Sequence, residues 1–450
     1  MELREDQREV LRRALEVLRN YPVLAIEAPP GWGKTVVVTA IIKEMRGRWI
    51  WSSSLLSAML QVANILRELN IRYYLSGGRE RLCLRNLRHA DFVMGACTGC
   101  AFNKPVPKDM ATYTLYTEVK DLGENIGICP YEIQEHYIRH LLRHSDDVAI
   151  IMHYDRVPKF LRWARGLILD EVHNIYLPRV TTLQRRVVEW LLEELGINDP
   201  SIINNAQAIK DLLAERLSDV AAVNSDFIND VVSFVESDFT YYSREDDAYV
   251  GVRISDLPLS QFNGRVVMMS ATIPPSLRNK IPMIKVPPKP VTAKIVKWAR
   301  PMTAEYVETH EDEIVKRLRE LIDGQTLIFT TTSKEIGFDD VIYEDELRLN
   351  EHICKKSLVL KFFGRYAEGA RLNCYRRIIL LTVPLLPAEV MRKIEATKGI
   401  TQSDVVVLKT IQAIGRIFPR DDYEIWLIDS RFKQYCSELA NYGVKCVDAG

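Results

Sequence analysis

Apolar and polar positions along the chain switch repeatedly between a period near two and a period near 3.6. Val23–Glu27 is a short apolar run that leads into a glycine-containing turn. Thr35–Met45 then follows helical spacing, Trp49–Ser53 reads as a strand and Leu55–Leu69 as an amphipathic helix. Such βαβ alternation predicts a mostly parallel sheet covered by helices. It stops near Gly77-Gly78, and up to about Tyr131 the chain is rich in Cys, Gly, Pro and Asn with little sustained period. Alternation resumes with a helix over Tyr131–Arg143, the apolar run Val148–Met152 and a strand over Leu167–Leu169. From Leu183 to about Val250 the spacing of Leu183, Val187, Trp190, Leu191 and Leu195 predicts a small helical insertion with few strands. Strands return at Val266–Ser270, and Pro287-Pro-Lys-Pro290 reads as a linker. Beyond it, strand candidates at Thr326–Thr330, Leu358–Phe362, Ile378–Val383, Val405–Leu408 and Ile425–Ile428 alternate with helices and predict a second α/β domain. No internal repeat marks a solenoid.

Length and composition narrow this picture without deciding it. A chain of 450 residues is long enough for two or three domains, each with its own core. Lys plus Arg equal Asp plus Glu, so no global basic field draws the chain to nucleic acid, and any such binding must rest on local grooves. The charged N-terminus lacks the apolar core of a signal peptide, and no apolar run reaches the ~18–20 residues of a membrane helix. Clustered cysteines add to an expectation of a reducing, cytoplasmic setting without membrane partners.

Candidate chemistry lies at the strand ends. Ala28-Pro-Pro-Gly-Trp-Gly-Lys-Thr35 places Gly31 and Gly33 before Lys34 and Thr35, between a strand and a helix. Backbone N–H groups in such a turn point at a phosphate, Lys34 reaches the outer phosphates of ATP, and the Thr35 hydroxyl suits Mg²⁺. Asp170-Glu171 follows the apolar strand Leu167-Ile-Leu169, which suits Asp170 to Mg²⁺ and Glu171 to polarising the attacking water. Ser270-Ala-Thr272 ends another strand, and Gln412-Ala-Ile-Gly-Arg416 supplies an arginine able to neutralise charge on a transferring phosphoryl group. Between the first two stretches lie Cys83, Cys97, Cys100 and Cys129. One close pair with two distant single ligands suits tetrahedral zinc and a four-cysteine iron–sulfur cluster about equally. Cys354, Cys374, Cys436 and Cys446 have no metal spacing and read as packing residues.

Taken in order, these segments resemble motifs I, II, III and VI of the superfamily 2 helicases. More narrowly the chain resembles the XPD/DinG branch: Gly78-Arg-Glu-Arg-Leu-Cys83 and Cys129-Pro-Tyr-Glu132 are similar to the segments holding that branch's first and last cluster cysteines. Glu368-Gly369 resembles its motif V, and Leu381-Thr-Val-Pro384 its strand ending in proline. The resemblance implies two RecA-like parallel-sheet motor domains, the first carrying an iron–sulfur insertion and a short arch-like helical insertion. It places the first motor domain over residues 1–77, 136–182 and 256–290, the cluster insertion over 78–135, the arch over 183–255 and the second motor domain over 291–450. It implies a [4Fe–4S] cluster on the four cysteines, ATP and Mg²⁺ bound between the motor domains, and 5′→3′ movement on single-stranded DNA or a forked duplex by a monomer in DNA repair or processing. Gln412, Arg416 and Arg420 would contact the nucleotide, and His153, Tyr154, Ser333 and Lys334 the DNA.

Several residues depart from the pattern. The second arginine of motif VI is replaced by Pro419, with Arg420 next along, and Arg371 stands where motif V usually has aspartate. Trp51-Ser-Ser-Ser54 replaces a more basic motif Ia. These changes favour ATP hydrolysis over efficient unwinding, and keep open an ATP-switched DNA-binding or scaffolding protein. Arg4 and Gln7 match an arginine–glutamine pair near the base or simply form a solvated helix face. Tyr73, Tyr74 and Phe102 either pack in a core or stack on bases.

Overall fold

The computed structural model describes residues 2–449 apart from 108–111, 198, 224–226, 245–246, 255–258, 260–261, 279, 332–335, 339–340, 345–352, 364–371 and 418–421. Among the described residues, seventeen strands run in chain order: β1 Val23–Glu27, β2 Arg48–Ser53, β3 Tyr73–Leu75, β4 Val148–His153, β5 Gly166–Asp170, β6 Arg179–Gln184, β7 Phe239–Ser243, β8 Ala248–Arg253, β9 Arg265–Ser270, β10 Met283–Lys285, β11 Val291–Arg300, β12 Thr326–Thr330, β13 Val341–Tyr343, β14 Ser357–Lys361, β15 Arg377–Leu380, β16 Glu424–Asp429 and β17 Val444–Asp448. They build a seven-stranded sheet ordered β10-β1-β9-β5-β2-β4-β3, a second ordered β13-β14-β12-β15-β16-β11-β17, and a three-stranded sheet β6-β8-β7. The two large sheets are parallel and carry helices, the α/β architecture of two RecA-like domains. Interior strands such as β4 and β12 are buried along nearly their whole length, which is why they read as unbroken apolar runs.

By packing, the chain divides into two compact units, Met1–Val23 with Thr35–Val267 and Leu24–Lys34 with Met268–Gly450. In the first unit, the helix Glu5–Asn20 starts where the Arg4 N–H donates to the Gln7 side chain at 3.0 Å. Gln7 is thereby buried, whereas Arg4 is half-exposed. Residues 183–255 do form helices, at Arg185–Glu194, Ala206–Glu215, Leu217–Val223 and Ile228–Val235, but these pack on the antiparallel sheet β6-β8-β7. The expectation of few strands is corrected here. β7 and β8 are short, five and six residues, so the helical periodicity before them masks their alternation.

The second unit holds a larger correction. Val405–Leu408, read as a strand, lies inside the helix Gln402–Gly415. Residues Val405–Ile414 of this helix are all buried, the polar Lys409, Thr410 and Gln412 included, so the apolar run Val405–Leu408 has no amphipathic stripe beside it to betray a helix. Its start is fixed by a capping box, in which the Thr401 hydroxyl accepts the Asp404 N–H and the Asp404 carboxylate accepts the Thr401 N–H. The missing strand of the sheet is β11, which follows the proline-rich linker. It pairs in parallel with β16 on one side and β17 on the other.

The cysteines read as packing residues are also corrected: Cys354 pairs with Cys374 and Cys436 with Cys446 in disulfides. Cysteine pattern therefore no longer argues for a reducing compartment. Among the described residues no helix is long and apolar enough to cross a membrane.

Candidate nucleotide site and cysteine insertion

β1 ends on Glu27, and the chain then turns through the phosphate-loop segment. Gly31 and Gly33 adopt φ of 73° and 99°, a left-handed backbone that residues with a Cβ resist. The helix Lys34–Met45 begins directly after them. Lys34 is buried, and its ammonium donates to the carbonyls of Ala28 at 2.9 Å and Pro29 at 3.4 Å. An incoming phosphate can exchange with these neutral acceptors, so the lysine is held over the loop without a competing carboxylate. The Ala28 N–H donates to the Ser270 carbonyl at 3.1 Å, tying the loop to the end of β9. There the Ser270 hydroxyl accepts the Thr272 N–H at 3.2 Å, while the buried Thr272 hydroxyl has no partner.

Gln412 and Arg416 lie at the end of the helix Gln402–Gly415, and Gly415 explains how this end approaches the loop. A Cβ on Gly415 would come within 2.7 Å of the Pro30 ring, so only glycine allows that approach. Gln412 is buried with both atoms of its carboxamide unpartnered, a costly arrangement unless a ligand supplies the bonds. Sequence reasoning missed Glu27. Its buried carboxylate pairs with Arg278 at 2.8 Å and Lys285 at 3.5 Å, and accepts the Ile273 N–H at 2.8 Å. The signal was present as a charge ending the apolar run Val-Leu-Ala-Ile-Glu. These bonds brace the segment after Thr272 against the strand that carries the loop.

Within the other unit, Thr35 is the second residue of that helix, and its carbonyl accepts the Thr39 hydroxyl at 3.0 Å. Asp170 ends β5, and Glu171 follows with φ of 48°, a left-handed conformation costing a non-glycine residue about 1–3 kcal/mol. The Glu171 carboxylate lies 3.3 Å from Nδ1 of the buried His173, and its carbonyl accepts the Asn174 N–H at 2.9 Å. Asn174 in turn donates to the Ser54 hydroxyl at 3.3 Å, which links the turn after β5 to the segment after β2. His173, Asn174 and Ser54 therefore hold Glu171 in its turn.

Of the expected nucleic-acid contacts, His153 and Tyr154 stack on each other at 4.4 Å beyond β4. Tyr154 is 4% exposed beneath the Arg179 guanidinium and so offers almost no ring face to a ligand as placed. Burial raises the carboxyl of Asp155, but its bond to His153 and the charges of His153, Arg253 and His89 outweigh this and lower it. Tyr74 is buried and donates to Gln134, a core role. Ser333, Lys334, Glu368, Gly369, Arg371, Pro419 and Arg420 lie outside the described residues.

The insertion grows from the turn Ser76-Gly77. The Gln134 carboxamide clamps both backbone groups of Gly77, at 2.8 and 3.0 Å, and Arg156 bonds Ser76, Gly77 and Glu135. Arg79 lies over the rings of Phe92 and Tyr131, and the short helix His89–Val93 packs into the core of residues 183–255. Cys83 follows the helix Arg79–Leu82, Cys97 and Cys100 share one turn, and Cys129 precedes the helix Pro130–His144. Burial raises the Cys129 thiol, against which the N–H groups of Glu132 and Tyr131 lower it, and Cys100 is near enough to raise it further. Four thiols free of disulfides, two of them close and one at a helix start, match the donor chemistry of a thiolate-held cluster. Among the described residues, however, no three His, Cys, Asp or Glu side chains converge as metal ligands.

No protein-family model matches the chain, and no curated protein is significantly similar to it. Solved structures are. The chain is similar to S. tokodaii Xpd4 at 17% identity and a TM-score of 0.55, covering 99% of this chain and 100% of that one. It is similar to an XPD structure described as apo at 14% identity and a TM-score of 0.61, covering 98% of this chain and 100% of that one. At such identities the likeness shows the fold, with both large sheets included.

Proposed function

We propose that this protein is an ATP-driven, XPD-like motor that moves on single-stranded DNA, 5′→3′, and separates forked duplexes. The observation that carries this reading is the phosphate loop: left-handed Gly31 and Gly33, a buried Lys34 on loop carbonyls, and the unpartnered Gln412 amide on a helix that only Gly415 lets approach Pro30. Lys34 leaves the loop carbonyls to bind the outer phosphates of ATP. Thr35 and Asp170 would hold Mg²⁺, which would neutralise phosphate charge when bound. Glu171, fixed by His173, orients the attacking water and takes up its proton. Gln412 contacts the γ-phosphate region, Arg416 neutralises charge on the transferring phosphoryl group, and Arg420 is proposed as a further nucleotide contact.

In this reading residues 1–77, 136–182 and 256–290 form the first motor domain and 291–450 the second, with the insertion at 78–135 and the arch at 183–255. Cys83, Cys97, Cys100 and Cys129 would hold a [4Fe–4S] cluster, which would cross-link an insertion with little apolar core. His153, Ser333 and Lys334 contact the DNA. The protein acts as a cytoplasmic monomer in DNA repair or processing.

Lys34→Ala should lower DNA-stimulated ATP turnover by at least about 10²-fold, the scale of losing one charge-stabilising donor. Undiminished turnover sinks the motor. A forked-duplex assay in both polarities tests direction, and ATP-dependent binding without strand separation points instead to a switch. Iron and sulfide assays on anaerobically purified protein test the cluster, and zinc alone refutes it.

A further inference from the structure

We propose a second nucleic-acid site: an arginine-lined hollow at the amino-terminal edge of the first sheet, which binds the phosphodiester backbone of a single strand. The hollow has a volume of about 690 Å³, within the range of ligand clefts, and is lined by Arg19, Arg162, Arg165, Arg265 and Tyr21 among others. Among the described residues no aspartate or glutamate lines it. All four guanidinium-bearing residues are exposed, and none pairs with a described carboxylate. In a chain whose charges cancel overall, four unpaired arginines around one hollow are a local positive field.

The arrangement follows from the sheet. The Arg265 N–H donates to the Arg165 carbonyl at 2.9 Å, the Arg165 N–H to the Arg48 carbonyl at 2.8 Å, and the Val266 N–H to the Pro22 carbonyl at 2.7 Å. Strands β9 and β2 thus open on an arginine, and β5, between them, is immediately preceded by Arg165, with a spacing of about 4.8 Å per strand. Arg265 is further fixed by its Nε donating to the Leu18 carbonyl at 3.1 Å. Arg162 and Arg143 lie over the Trp163 ring at 4.1 and 4.8 Å, which orders their long side chains before any ligand arrives. β5 runs from this edge to Asp170, so the hollow lies about 17 Å along the strand from the acidic pair. It is not part of the hydrolysis site.

Guanidinium groups bind phosphate through paired N–H donors, which accounts for a polyanion. The aromatic component selects nucleic acid over an acidic protein segment. Tyr21 is 54% exposed at the rim, and an unburied ring beside arginines is a stacking platform for a base, for which a glutamate-rich peptide has no use.

The test uses the full chain without nucleotide and a fluorescent oligothymidylate, with anisotropy followed against salt. Arg19→Ala, Arg162→Ala and Arg165→Ala combined should weaken binding by at least about tenfold and flatten the log–log salt slope by about 2, as expected for three lost phosphate contacts on a single strand. Tyr21→Ala should weaken binding by roughly tenfold with the slope unchanged. Photo-cross-linking of an iodouracil oligonucleotide should label Tyr21. Unchanged affinity and slope in the triple variant, or no adduct at Tyr21, overturns the proposal. So does a polyglutamate peptide that binds as tightly as the oligonucleotide and is lost in the same variant. Nucleic-acid-independent ATP turnover and urea stability should be unchanged in these variants. The Lys34→Ala result bears on the motor alone, so the two readings fail separately.

Discussion

Replacing Glu135 by alanine should destabilise the first unit by about 3 kcal/mol, near the low end of the ~3–5 kcal/mol range for stripping a buried charge of its partner. Glu135 is 3% exposed and Arg156 9%, and their closest approach is 2.6 Å. Without the carboxylate the guanidinium stays buried, its Nε already lacking a partner. The loss falls at the low end because one Arg156 nitrogen keeps the Ser76 hydroxyl and the Gly77 carbonyl, the latter at 2.9 Å. Urea unfolding at 25 °C should show a lower midpoint with an unchanged slope. The melting temperature should drop by roughly 6–12 °C, at ~2–4 °C per kcal/mol for a unit of this size. Because the same guanidinium bonds the root of the insertion, amide exchange at Ser76 and Gly77 should accelerate as well. The double change Glu135→Leu with Arg156→Met removes both charges and should recover most of the loss. A single variant within 1 kcal/mol of the parent, or a double variant no better than the single, would refute the reasoning.

Other changes test other parts of the structure. Gly415→Ala should raise the KM for ATP several-fold with little change in stability, because its Cβ meets Pro30 at 2.7 Å; an unchanged KM removes Gly415 from the site. Glu424 is held down to about 2, chiefly by its bond to Lys294, with burial opposing and Arg377 assisting. A carboxyl depressed from 4.5 stabilises the fold above that pH and loses its contribution as pH falls towards 2. Its side chain is 38% exposed, so screening leaves about 1 kcal/mol, and Glu424→Gln should lower stability at pH 7 by that much and not at pH 2. Reducing the disulfides, which close separations of 20 and 10 residues, should cost about 3 kcal/mol each; thiol titration with urea melts checks this, and unchanged melts after full reduction contradict it.

The local geometry of the candidate site was legible where it depends on neighbours in sequence. Gly31 and Gly33 turn the chain between a strand and the helix of Lys34, and Asp170 ends a strand, as the local order predicts. Tyr154 was not legible, because a tyrosine after a strand can face solvent or a guanidinium, and only packing beneath Arg179 decided it. The same holds for Glu27, whose partners Arg278 and Lys285 are some 250 residues away along the chain.

By itself the sequence determined the alternating α/β plan, the positions of most parallel strands and the segments that end them. Those properties come from side-chain period and backbone stereochemistry, which act over a few residues. The tertiary structure alone decided that Val405–Leu408 is helical and Val291–Arg300 is the strand in its place, because an apolar run is equally at home in a helix buried on all sides and in a central strand. It alone paired Cys354 with Cys374 and Cys436 with Cys446, since a disulfide needs Cα atoms about 5.5–5.8 Å apart and spacing along a chain does not give that distance. And it alone lined up Arg48, Arg165 and Arg265, scattered in sequence, along one edge, because only the order of strands in a sheet makes them neighbours.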